Sequence, residues 1–92
     1  MDRNLELRKD LNQKSFDLLK IDVEAALTFT RIATGADHGS DKRVRNQGNA
    51  RTAYDSIQHL RKNVVVTPEQ DQELEKGLER LKSALRELGE KF

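Results

Sequence analysis

Gly35-Ala36-Asp37-His38-Gly39-Ser40-Asp41 interrupts an otherwise helix-compatible chain, and Asn63-Val64-Val65-Val66-Thr67-Pro68 interrupts it once more. Clustered Gly, Asp and Ser favour turns, and Pro is tolerated only in the first turn of a helix. Two breaks divide the 92 residues into three helical stretches. They predict an all-α fold, an antiparallel three-helix bundle with a long first helix. One domain is expected over 1–92, with helices at about 2–34, 41–63 and 68–90.

Downstream of the second break, Thr67-Pro68-Glu69-Gln70 offers a hydroxyl cap, a proline at the first helical position and a glutamine in capping-box spacing. Leu74, Leu78, Leu81, Leu85, Leu88 and Phe92 follow at alternating intervals of four and three, the pattern of a coiled-coil seam. Gly89 is the expected terminator. Gly77 costs about 1 kcal/mol relative to Ala in a helix, so its place beside the seam predicts a close neighbour helix. Upstream, Ser40 or Asp41 caps a second helix whose seam is Asn46, Ala50, Ala53, Ile57, Leu60 and Val64, with Tyr54 on its shoulder. Val64-Val65-Val66 has strand propensity but no strand to pair with, and reads as an extended, partly buried connection.

The first helix is different. Phe16, Leu18, Leu19, Ile21, Val23, Ala25, Ala26, Leu27, Phe29, Ile32 and Ala33 cover about two thirds of its girth. Such a helix must be covered on two sides, and the other two helices are expected to do so. Its first fourteen residues carry Leu5, Leu7 and Leu11 among charges and overhang the shorter helices. That end is either a docking or dimerisation segment or a frayed terminus.

Composition narrows the function. Seventeen basic and sixteen acidic residues leave a net charge of +1, too balanced to attract nucleic acid in bulk. There is no cysteine, hence no disulfide or thiolate site. No apolar run approaches the roughly 20 residues that span a bilayer, and the N-terminal stretch lacks a secretion pattern. The chain is expected to be cytoplasmic, without a membrane association or a cofactor.

Several polar residues invite a chemical reading. Asp22 projects beside Leu18, Ala26, Phe29 and Ala33, which predicts a buried carboxylate bonded to Arg45, Asn46, Arg51 or Tyr54 of the second helix and fixing its register. Lys42, Arg43, Arg45 and Arg51 form the most basic segment, where arginines can grip phosphate. Asp41 and Asp55 dilute that segment, and an ordinary solvated face with an Arg51–Asp55 pair is the plainer reading. Asp37, His38 and Asp41 are what a turn needs, and without a second His or a Cys no metal site is expected.

His59, exposed and followed by Lys62, resembles the active helix of histidine-containing phosphotransfer domains. The resemblance covers only His59-Leu60-Arg61-Lys62. Arg61 and Asn63 stand where that family has Leu and Gly, and the family's four-helix bundle would require association. Ala25-Ala26-Leu27-Thr28-Phe29-Thr30-Arg31-Ile32-Ala33 and Asn49-Ala50-Arg51-Thr52-Ala53-Tyr54-Asp55 resemble short bacterial helical proteins, a likeness that implies no activity. A paired nucleophile and base, a metal-ligand cluster and a Gly-rich phosphate loop are all missing, so no enzyme is expected. The expected function is a non-catalytic protein-interaction module, self-associating or adaptor-like. A homodimer interface is expected at Leu5, Leu7, Leu11, Phe16, Leu88 and Phe92. Nucleic-acid or phosphate binding at the basic segment is the alternative, and phosphotransfer at His59 ranks behind it.

Overall fold

The structure, a computed structural model, describes residues 3–92, with side chains from Glu6 onward. Three helices follow one another as α1 (Arg3–Gly35), α2 (Asp41–Leu60) and α3 (Pro68–Glu87), and α2 runs into a 3₁₀ turn at Arg61–Asn63. They pack as the antiparallel three-helix bundle that the two breaks predict. The described residues contain no strand.

Local chemistry sets the helix ends. Ser40 Oγ accepts from the Arg43 amide at 3.1 Å and caps α2. At α3, Thr67 Oγ1 accepts from the Gln70 amide while Gln70 Oε1 accepts from the Thr67 amide, which closes the capping box reciprocally. At the other end Gly89 takes φ +102°, the Gly89 amide donates to the Arg86 carbonyl, and the Glu90 amide donates to the Leu85 carbonyl. This pair of bonds is the Schellman motif, which needs a residue free to adopt left-handed backbone. The helix therefore stops at Glu87, and Phe92 leaves the seam that Leu74, Leu78, Leu81 and Leu85 complete.

The core joins Phe16, Leu19, Val23, Ala26 and Leu27 of α1 to Ala50, Tyr54 and Ile57 of α2 and the four leucines of α3. Gly77 lets α3 approach α1 closely: a Cβ there would stand 3.0 Å from Val23 Cγ1. Val64 and Val66 turn inward against the core while Val65 points to solvent, as the extended connection predicts. Leu60, at the last turn of α2, is exposed instead of continuing the seam.

One expectation about α1 fails. It is not sandwiched between α2 and α3. Both lie along the same face of it, for Phe16, Leu19, Val23, Ala26 and Ala33 are buried while Leu18, Ile21, Ala25 and Ile32 stay exposed. Gln70 of α3 meets Gln13 of α1 at 2.9 Å, Lys9 and Asn12 border a shallow depression with Val65 and Thr67, and ahead of that level the N-terminal end of α1 projects beyond the bundle. The molecule is correspondingly long, 57 × 19 × 17 Å.

Candidate interaction surface

The apolar residues of α1 form two stripes rather than one broad arc. Phe16, Leu19, Val23, Ala26, Thr30 and Ala33 recur at intervals of three and four and are all buried. Thr30 belongs among them because its hydroxyl is satisfied locally, donating to the Leu27 carbonyl at 2.7 Å. On the opposite face Leu7, Leu11, Lys14, Leu18, Ile21, Ala25, Thr28 and Ile32 recur at four, three, four, three, four, three and four, and all are exposed. Leu18 and Ile21, in the middle of this second stripe, are each 61% exposed. A shallow depression bordered by Asp17, Lys20, Glu24 and Thr28 runs along its flank. Single exposed leucines are ordinary, but a heptad stripe apolar at six of its eight positions is not.

Asp22 lies in the gap between the two stripes. It is exposed, which corrects the expectation of a buried carboxylate. At 100° per residue it stands well off the line through Leu19, Val23 and Ala26, and only by merging the two stripes does it look central. Its expected partners are engaged elsewhere. Asn46 is itself buried, and its Nδ2 donates to the Lys42 carbonyl one turn back at 2.8 Å. The Tyr54 hydroxyl accepts from Gln58 Nε2 at 3.0 Å. Arg51 pairs with Asp55 one turn along α2 and reaches the segment that follows α3, donating to the Lys91 carbonyl with its guanidinium carbon 4.1 Å from the centre of the Phe92 ring.

The basic segment does not form a free cluster. Arg43 Nη1 donates to the Ala33 carbonyl at 3.2 Å and so caps the C-terminal end of α1, a favourable place for a cation. Arg51 is held by Asp55, Glu90 and Phe92. Lys42 and Arg45 alone remain exposed on that segment. His59 is exposed beside Asp55, Ser56 and Leu60. Asp37, His38 and Asp41 stay on the surface of the first turn, and no metal-binding group of three or more His, Cys, Asp or Glu gathers among the described residues.

The expected interface residues do not share a surface. Phe16 is 3% exposed and part of the core. Leu88 is buried at the far end of α3. Phe92 folds back beyond Gly89 so that its ring meets Tyr54 edge-on, centroids 4.9 Å apart. That end lies some twenty residues of helix, about 30 Å, from the level of Gln13. Leu5 falls outside the described side chains. Leu7 and Leu11 are exposed, on the outer stripe. Leu18, Ile21, Ala25 and Ile32 complete that stripe, and the signal for them was the second four-three series in the same helix.

No described helix is long and apolar enough to cross a membrane. Comparison with protein-family models, curated proteins and solved structures finds no match.

Proposed function

We propose that this chain is a non-catalytic helical interaction module that binds another polypeptide along the outer face of α1. The reading is carried by one observation: α1 holds two heptad stripes on opposite faces, one filled by α2 and α3 and the other exposed from Leu7 to Ile32. Maintaining apolar residues at coiled-coil spacing on a solvent face favours aggregation unless a partner covers them, and an amphipathic helix is the simplest cover. The core does not need them, since α1 already supplies a full buried stripe.

The paired substitution Leu18→Glu/Ile21→Glu tests the reading. Both side chains are exposed, so the unfolding midpoint in urea should move by no more than about 0.5 kcal/mol equivalent. Immobilised wild-type chain should retain a protein, its own copy included, from nuclease-treated native lysate, and the double variant should lose it. Identical retention by both chains would sink the proposal.

A further inference from the structure

We infer that the occupant of the outer face of α1 is a second copy of this chain, docked antiparallel across a two-fold axis that passes between Leu18 and Ile21. The inference rests on the reading of that face as an interaction surface and adds its partner, orientation and register. The eight stripe positions are self-complementary when the helix is reversed on itself about that axis. Leu7 then faces the partner's Ile32, Leu11 the partner's Thr28, Lys14 the partner's Ala25, and Leu18 the partner's Ile21. Every long side chain at the centre and the ends meets an apolar one. The single lysine of the stripe falls opposite its smallest residue, so its aliphatic stem has room to lie across the seam while the ammonium reaches the rim.

Charge selects this orientation. At the rim, Asp10 comes beside the partner's Arg31, and the Lys14 ammonium beside the partner's Glu24. Among the described residues none of these four side chains is committed to an ion pair or side-chain hydrogen bond within its own chain. One like-signed approach opposes them, Asp17 towards the partner's Glu24, and Lys14 lies between the two. A parallel pair fares worse at each point. It stacks Lys14 on the partner's Lys14 inside the seam and sets Asp17 against the partner's Asp22, with no opposite-charge pair in return. Like charges at those positions are the usual device by which coiled coils reject an orientation.

Shape and area agree. Because the two stripes of α1 lie on opposite faces, α2 and α3 stand behind the docking face and do not obstruct a second α1. The seam from Leu7 to Ile32 is about 38 Å long. The chain exposes 6500 Å², against about 5500 Å² expected for a compact monomer of its mass. The excess of about 1000 Å² matches the roughly 800 Å² per partner that a stable interface buries.

The chain has no cysteine, so introduced thiols report the register directly. Lys14→Cys and Ala25→Cys are prepared separately and oxidised alone and as an equal mixture, at hundreds of micromolar. The mixture should give the 14-to-25 disulfide at least tenfold over either same-variant disulfide, because like positions lie about 16 Å apart along the axis and a disulfide needs Cα atoms within about 7 Å. Wild-type chain should sediment as a dimer, and Ile21→Glu should shift it towards monomer at least tenfold with unchanged circular dichroism. Same-variant disulfides predominating would overturn the orientation, and a wild-type monomer throughout that range would overturn the second copy. If the monomeric chain still retains a different protein in a manner lost on Leu18→Glu/Ile21→Glu, the interaction-module reading stands and this inference alone falls. If retention is also unaffected, both fall.

Discussion

Arg61 and Lys20 make similar contacts and should matter very differently. Arg61 sits at the end of α2 with its side chain only 16% exposed and its guanidinium divided between Asp71 and Glu75 of α3. Burial pushes its pKa down, but the hydrogen bonds to Glu75 and Asp71 outweigh this and hold it above the ordinary arginine value, so it is charged at every accessible pH. Lys20 pairs with Glu73 at 2.8 Å in open solvent. The hydrogen bond to Glu73 raises its pKa, and whatever the pair contributes is present at neutral pH and fades only as pH climbs through that raised alkaline value. Exposed pairs contribute little, whereas a half-sheltered arginine with two carboxylates ties two helices together. Arg61→Met should therefore destabilise by about 1 kcal/mol, while Lys20→Met should be indistinguishable from wild type in urea melts. Asp22→Ala, at an exposed position with no ion-pair or hydrogen-bond partner among the described residues, should likewise stay within about 0.5 kcal/mol. A loss of 2 kcal/mol or more at Asp22 would mean that the carboxylate is buried after all.

At the level of elements, the contact of α3 with α1 turns on Gly77. Alanine would gain up to about 1 kcal/mol of helix propensity there, but its Cβ would press on Val23 Cγ1. Val23 is buried and β-branched, with one favoured rotamer in a helix, so it cannot swing aside. Gly77→Ala should therefore destabilise by about 1 kcal/mol net, and in a Val23→Ala background the same change should become stabilising. A double-mutant cycle from four urea melts reads the coupling, and additive effects would show that the helices do not meet at this point. The helices themselves, their caps, the Gly77 approach and the inward turn of Val64 and Val66 were legible in the sequence, because each depends on residues within a turn or two. What could not be read locally was the face α1 presents. Asp22 looks central while Leu18, Phe29 and Ala26 are counted together, and is peripheral once α2 and α3 choose one stripe and leave the other. Phe92 escaped for a related reason: heptad counting carries it along α3, but the Schellman turn at Gly89 breaks the register and returns the ring to Tyr54.

The whole molecule is longer than a domain of this size needs to be. Its radius of gyration is 15.6 Å, against about 12 Å for a compact chain of the same length. The extra length is α1, and an antiparallel pair would place its projecting end against the partner's Thr28 and Ile32, at the level of the partner's bundle. Each copy would then support the segment that the other leaves unsupported. The rim charges make this testable without touching the apolar seam. Arg31→Asp alone should weaken dimerisation, since it sets a carboxylate against the partner's Asp10 at two symmetric places. Asp10→Arg alone should do the same by opposing the partner's Arg31. The double variant Asp10→Arg/Arg31→Asp restores both opposite-charge pairs with their signs exchanged and should recover most of the affinity, with each single loss about three- to thirtyfold, as two partly exposed pairs of about 0.3 to 1 kcal/mol each allow. Raising salt from 50 mM to 500 mM should shrink the penalty of the single variants, because screening shortens the reach of rim charges. Sedimentation equilibrium of the four chains at both salt concentrations measures all of this. Recovery in the double variant would place position 10 of one copy beside position 31 of the other, whereas losses that simply add would break the antiparallel register even if a dimer forms.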